Sequence, residues 1–388
     1  MSSCPVLYAW DGQRYRFVSD LLGVGGIGYA TGPGEYATPR PWENFLFPTG
    51  LLQPHDGHIE IKIGEPMEEV AYLDSAAMTA WDLPPGWQMV LDERMGINDP
   101  QPTGEARFFR DELLPSRASD AAGDDVTASI RQLDAQAAPV GALDPRFIGR
   151  LAAEQQLTLD FDRALEQGPG EPMLIIDGWV EYPYSQTQFA AWQAGAAFEV
   201  PTLEARGDDG DWKVVLAEFG YPAGMPRRMS VPLHNLPVGT RELRLRTNME
   251  VYWDRVAVAW AEPLPQAKRQ SATLDGATLR QVGFPLRTTG PQRYPDYDYQ
   301  RRSPFWDVSY QRGWYTRPGP VDELVSRHDD AVALIGPGDE VHLAFRPPDA
   351  DPREGWRRYW VLETRGWAKD RDLFTRDGET VEIGRAHV

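Results

Sequence analysis

The sequence predicts an all-β protein of two or three packed β-sandwich domains of jelly-roll type, joined by long loops rich in Gly and Pro. Three observations carry this. The segment Leu243 to Trp260, LRLRTNMEVYWDRVAVAW, alternates apolar and polar residues with a period of two, the pattern of strands that bury one face. The 388 residues include 36 Gly and 34 Pro, the residues that punctuate short elements. There are also 14 Trp, 15 Tyr and 14 Phe, which suit pleated, half-buried surfaces better than long helices.

Length alone calls for two or three cores. We expect an N-terminal β-domain at 1–150 with a hairpin and an irregular connector, a jelly-roll sandwich at 151–262, and a C-terminal β-region at 263–388 that packs in part on the N-terminal domain. The formal charge of -19 repels phosphate backbones and anionic bilayers, so nucleic acid is not an expected partner. Cys4 is the single cysteine, which excludes an intrachain disulfide and cysteine-type zinc sites. The start, MSSCPVLYAWDG, lacks the basic and apolar regions of a signal peptide, and no apolar run is long enough to span a bilayer. A cytoplasmic location is expected for the chain as written, and export if it was trimmed from a longer protein.

The elements follow in order. Val6 to Trp10 and Tyr15 to Val18 flank Asp11-Gly12 and read as a hairpin. The segment GVGGIGYATGPGEYATPRPW has no period and reads as a loop that covers something. Its Gly23, Gly25, Gly26 and Gly28 lack the Lys-Ser or Lys-Thr of a phosphate loop. IEIKI, VAYLDSAAMTAWDLP and WQMVLDE read as strands. His55, Asp56 and His58 form either a turn or two ligands of a metal site, and Glu65, Glu68, Glu69 and Asp74 form either a solvated face or an oxygen set for calcium. No cofactor is expected apart from this option of a structural calcium. Residues 100–145 read as a connector with one short helix within DAAGDDVTASIRQLDAQ.

Leu157, Leu159 and Phe161, then LIIDGWVEYPY, Trp212 to Leu216, Met229 to Leu233, and Leu243 to Trp260 supply a set of strands spaced as in a sandwich. A polar break at Thr247-Asn248 would place Asn248, Glu250, Tyr252 and Asp254 on an accessible edge. The last region contains RYPDYDYQRRSPFWDVSYQRGWYTRPG, read as a loop, in which Tyr294, Tyr297, Tyr299, Phe305, Trp306, Tyr310, Trp314 and Tyr315 are interleaved with Asp296, Asp298, Arg301 and Arg302. Such rings and charges either stack on a sugar or cation and orient it, or pack under the loop and between domains. Gly338-Asp339 is expected to turn a hairpin, and RYWVLETRGWAKDRD to form the last strand.

No G-x-S-x-G elbow, histidine base motif or glycine-rich βαβ unit occurs, which argues against triad catalysis and dinucleotide binding. Paired carboxylates remain, because a glycosidase needs only two acids at a suitable separation. The pairs are Asp177 with Glu181, Asp296 with Asp298, and Glu250 with Asp254. Asp177, Trp179 and Glu181 share a strand face by parity, with Tyr182 and Tyr184 on the other. Trp179, Tyr182, Tyr184 and Trp192 would then form a ligand platform or a core edge.

Taken together, CPVLYAWDGQRYRFVSDLLG, YLDSAAMTAWDLP, WKVVLAEFGYPAGMPRRMSVPL, LRLRTNMEVYWDRVAVAW and RGWAKDRD resemble the β-rich C-terminal regions of large bacterial FG-GAP and ASPIC/UnbV (CRTAC-like) repeat proteins. The resemblance spans most of the chain, but the propeller and helical repeats that precede such regions are absent, so it implies a free-standing version. Glu199 to Trp260 is also similar to galactose-binding-like jelly rolls, which implies a glycan ligand or a structural calcium. No catalytic motif accompanies either resemblance. The resulting expectation is a non-catalytic binding or scaffold protein holding a glycan-like ligand or a protein partner through Trp179, Tyr182, Tyr184, Tyr252, Asp254, Tyr294, Tyr297, Asp298 and Trp306. The alternative is a carboxylate-based enzyme acting on a saccharide or other polar small molecule, with Asp177, Glu181, Asp296 and Asp298 as its acids.

Overall fold

In the computed structural model, which describes residues 5–96, 100–303, 308–329 and 331–383, the first hairpin shows how local chemistry starts the fold. Val6–Trp10 pairs antiparallel with Tyr15–Asp20. At the turn, Asp11 Oδ1 accepts hydrogen bonds from the backbone N–H groups of Gln13 and Arg14, both at 2.9 Å. This Asx-type turn includes Gly12 at a φ of 97°, a conformation that glycine adopts without a Cβ penalty.

The hairpin opens a sheet that draws on both ends of the chain. Its order is Tyr15–Asp20, Val6–Trp10, His58–Gly64, Asp339–Arg346, Thr273–Gln281 and Gly319–Pro320. The facing sheet has the order Lys268–Ser271, Glu69–Leu83, Arg357–Asp370 and Trp42–Leu46. Its two central strands pair from Arg357 opposite Leu83 to Asp370 opposite Glu69, with a bulge between Arg365 and Gly366. Alternate residues of each sheet, among them Leu7, Ile59, Ile61, Ile63, Leu73, Met78, Leu343 and Leu362, close one core between them.

Residues 112–261 build a second sandwich. One sheet runs Glu112–Leu113, Val251–Ala261, Glu171–Val180 and Arg227–Pro232; the other runs Arg117–Asp120, Arg150–Asp160, Glu242–Met249, Thr202–Arg206 and Trp212–Leu216. The architecture is therefore all-β, with antiparallel sheets packed face to face. The short strands at 112–120 lie in the sheets of the central sandwich, and the C-terminal strands share sheets with the N-terminal ones.

The segment Leu243 to Trp260 explains why the central sandwich closes. Glu242–Met249 and Val251–Ala261 lie in opposite sheets, so the chain turns its corner at Glu250 and not at Thr247-Asn248. Leu243, Leu245, Met249, Val251, Trp253, Val256, Val258 and Trp260 all enter the same core. Trp253 and Val256 are three apart yet face the same way because Asp254 is the extra residue of a bulge: Gly178 pairs with Trp253 and Asp177 with Arg255. The expected accessible edge is not seen. Asn248, Glu250, Tyr252 and Asp254 are all buried, because the corner is packed beneath the 134–140 and 291–294 segments.

Three further expectations are corrected. The aromatic segment is not an open loop over its first part, since Pro295–Ser303 pairs with Phe284–Thr289. Gly338-Asp339 is a corner between sheets and not a hairpin, because Ala333–Ile335 pairs with the Glu69 strand while Asp339–Arg346 pairs in the first sheet. Of the helix expected in DAAGDDVTASIRQLDAQ, a single 3-10 turn at Thr127–Ile130 forms, and the longer helix is Ser185–Gln193.

Candidate functional site

The Gly/Pro-rich segment after the first hairpin crosses from one sandwich to the other and walls a cavity of about 780 Å³. Backbone pairing pins the segment to the last strand and to the turns after it: Ile27 N–H donates to Ala368 O at 2.8 Å, and Arg376 N–H to Gly28 O at 2.9 Å. Gly28 is required there. Its φ is +71°, and a Cβ would lie 2.7 Å from the Arg376 carbonyl oxygen. The same segment contributes Tyr29, Tyr36, Arg40 and Trp42 to the cavity wall. The central sandwich contributes Tyr182, just past the Glu171–Val180 strand, together with Phe198 and Tyr221. The first sandwich contributes Glu69 and Asp370, the end residues of its two long strands.

Glu69 and Asp370 stand directly opposite each other across the strand pair. Two ionised carboxylates in that position repel, and burial adds a second penalty to ionisation. Burial, then the neighbouring Glu65 and Asp370, raises the Glu69 carboxyl well above the usual range, and burial likewise raises Glu65. Hydrogen bonds link Glu69 to both Asp370 and Glu65, and each raises its carboxyl further. Glu69 is 2% exposed, and its Oε1 has no hydrogen-bond partner.

Across the cavity, the Arg40 guanidinium lies 4.3 Å over the Trp42 ring, is ion-paired with Glu93 and donates to Arg94 O at 3.2 Å. The Tyr29 hydroxyl donates to Pro183 O. The cavity thus offers ring faces, the carboxyls of Glu69 and Asp370, and one guanidinium that is ion-paired with Glu93 while its Nε and Nη1 have no hydrogen-bond partner.

Of the residues predicted from sequence, Tyr182 lines this cavity, with ring centroids 6.0 Å from Tyr29 and 6.3 Å from Tyr221. Tyr184 immediately precedes the Ser185–Gln193 helix, and Trp192 near its end is exposed. A second group converges elsewhere. Trp179 stacks on Tyr252 at 5.4 Å and meets the edge of Tyr294 at 4.9 Å, and its indole N–H donates to Gln292 O at 2.8 Å. Beside them, Arg293 pairs with Glu250 at 2.6 Å and reaches Glu181 at 3.8 Å. The Tyr252 hydroxyl donates to Glu250 Oε1 at 2.5 Å. This group is packed solid, with Trp179 2% and Tyr252 3% exposed.

Asp177 holds Arg228 through bonds of 2.8 and 3.0 Å, and Asp254 accepts from Ala135 N–H at 3.2 Å. Burial pushes the Asp254 carboxyl up to about 6. Asp298 accepts from the Gln300 backbone at 2.9 Å, Asp296 is exposed, and Tyr297 is buried against Phe17 at 5.2 Å. Trp306 lies outside the described residues. The acidic run does not form an oxygen cage: Glu68 is exposed, and Asp74 pairs with His328. His55 bonds to Glu60 and His58 to Asp275, so the two imidazoles take different partners. Among the described residues, no group of three or more His, Cys, Asp or Glu is arranged to hold a metal ion.

Sequence reasoning missed Glu69 and Asp370 as a pair, because just over 300 positions of chain separate them. The one available signal was the unpatterned Gly/Pro segment with Tyr29, Tyr36 and Trp42. No helix among the described residues is long and apolar enough to cross a membrane.

No family model matches the chain, and no curated protein matches it. Among solved structures, it is similar to the D431N mutant VP2 protein of infectious bursal disease virus in T=1 particles, at 9% identity over 95% of this chain and 76% of that one. The TM-score of 0.09 is too low for that likeness to bear on fold or function.

Proposed function

We propose that this protein is a non-catalytic binding module that holds a glycan-like small molecule in the cavity between its two sandwiches. The observation that carries the reading is the pairing of a ring-lined cavity of about 780 Å³ with a few buried polar groups, the composition typical of small-molecule sites. Sugars present apolar ring faces for Tyr36 and Trp42 and hydroxyl groups for the carboxyls of Glu69 and Asp370. Binding is favoured over hydrolysis by spacing. Glu69 and Asp370 touch through a hydrogen bond, whereas a retaining glycosidase holds its acids about 5 Å apart.

The test is a thermal-shift screen with mono- and oligosaccharides, since a ligand that prefers the native state raises the melting temperature by mass action. A saccharide-dependent shift that Trp42→Ala removes supports the reading. A shift that persists in Trp42→Ala and Tyr36→Ala moves the site elsewhere.

A further inference from the structure

We infer that the cavity holds one end of an oligosaccharide whose following units leave through the mouth and rest on the exposed ring of Trp192, so that the ligand is a glycan chain and not a single sugar. This rests on the reading of the cavity as a ligand site. The mouth is marked by Tyr36, which lines the cavity yet is 43% exposed. Tyr36 belongs to a small hairpin in which Ala30 pairs with Tyr36 and Gly32 with Glu35, and Thr31 of that hairpin also lines the cavity. The Ser185–Gln193 helix lies against it: a Cβ at Gly32 would sit 3.8 Å from Trp192 Cδ1. Gln188 of the same helix lines the cavity, and residues four apart share a helix face, so Trp192 stands one turn beyond the wall.

Trp192 is 49% exposed, and a large apolar ring left half in water beside a cavity mouth marks a contact surface and not a core. The ring is nonetheless held in place. Its centroid is 5.8 Å from that of Phe189, and Phe189 stacks on Phe374 at 4.3 Å, which anchors the helix to the turns after the last strand. Gln186 N–H donates to Asp372 Oδ2 at 3.2 Å in the same region. The Arg376 guanidinium lies 5.4 Å over the Tyr36 ring and braces it from one face. Two rings fixed near the mouth, one in the wall and one beyond it, suit a ligand that repeats one unit. Each sugar offers an apolar face to a ring and hydroxyls to the polar groups around it. A single sugar inside the cavity leaves Trp192 without a contact.

The experiment is isothermal titration of the full chain with gluco-, galacto-, manno- and xylo-oligosaccharides of increasing length, from the single sugar to the tetrasaccharide. In at least one series the trisaccharide is expected to bind about tenfold tighter than the single sugar, the size of one added ring contact. Trp192→Ala is expected to remove that gain and leave the affinity for the single sugar unchanged, and Trp192→Phe to keep part of the gain. Affinity that does not grow with length, or a gain that persists in Trp192→Ala, overturns this inference and leaves the cavity reading standing where Trp42→Ala still abolishes binding. An equal loss at every length in Trp192→Ala also overturns it, because the ring then supports the shape of the site and not the added units. A dimer in sedimentation that Trp192→Ala dissolves gives the ring to a second copy of the chain, with the same consequence. No binding by any saccharide overturns the cavity reading and this inference with it.

Discussion

Replacing Arg227 by Met tests how the two sandwiches are joined. Arg227 sits on the Arg227–Pro232 strand of the central sandwich, with its side chain 4% exposed. It crosses to the first sandwich, where it is ion-paired with Glu43, donates to the Asp20 carbonyl and lies 3.7 Å from an Asp20 carboxylate oxygen. Glu43 in turn accepts from Leu22 N–H at 2.5 Å. Both carboxylates have side chains 2% exposed, so removing the guanidinium leaves two buried acids without their cation. Breaking a buried pair in this way costs about 3–5 kcal/mol.

The loss should depend on pH. Burial already holds Asp20 at about 6 against an ordinary 3.8, with Arg227 pulling it down. Without Arg227 the Asp20 carboxyl rises further, and a group raised in the folded state loses stability as pH climbs from its unfolded value to its folded one. Urea unfolding followed by tryptophan fluorescence at pH 5 and pH 8 reads both effects. Arg227→Met should lose more stability at pH 8, and adding Glu43→Gln should return part of it. A loss under about 1 kcal/mol, or one equal at the two pH values, would refute the view that this cation offsets two buried charges.

Other outcomes follow from the same packing. Trp253→Ala should cost about 3–5 kcal/mol in chemical denaturation, because the ring is 1% exposed in the central core. Asp254→Asn should reduce the fall in stability that the wild type shows as pH rises from about 4 to about 6, since this carboxyl is raised from 3.8 to about 6 and Asp20, likewise raised to about 6, is left in place; pH-dependent melts check it. Gly168→Ala should cost about 1–3 kcal/mol in the same unfolding assay, as its Cβ would fall 1.8 Å from Trp260 Nε1 in a well-packed core. Asp177→Asn should lower stability by about 1–3 kcal/mol through Arg228 yet leave any saccharide titration unchanged, which separates a structural acid from a binding one.

Much of the fold was legible in local pattern. Apolar runs between turn residues located the strands at Val6, His58, Glu69, Glu171 and Arg357, alternation located those at Leu157 and Leu243, and Asp11-Gly12 located the first turn, because pleat and turn chemistry act over a few residues. The alternation of Leu243 to Trp260 showed two strands but not their corner, since Glu250 looks no different from Asn248 until each strand has a sheet to join. The aromatic segment was misread as a loop where it forms a strand, and the choice between ligand contact and packing stayed open, because the contacts of Tyr297 and Tyr299 with Phe17 and Tyr8 depend on the first hairpin being beneath them. In the candidate site, local sequence gave Tyr182 and an unpatterned Gly/Pro segment that covers something, and nothing more. The sequence alone determined an all-β chain of alternating strands and glycine-bearing turns, because period and φ preference are local properties. Tertiary structure alone decided that strands from the two ends share sheets, that Glu69 faces Asp370, and that Arg227 ties one sandwich to the other. Those depend on register between strands distant in sequence, and on burial, which raises carboxyls such as Glu69 and Asp20 above their ordinary range.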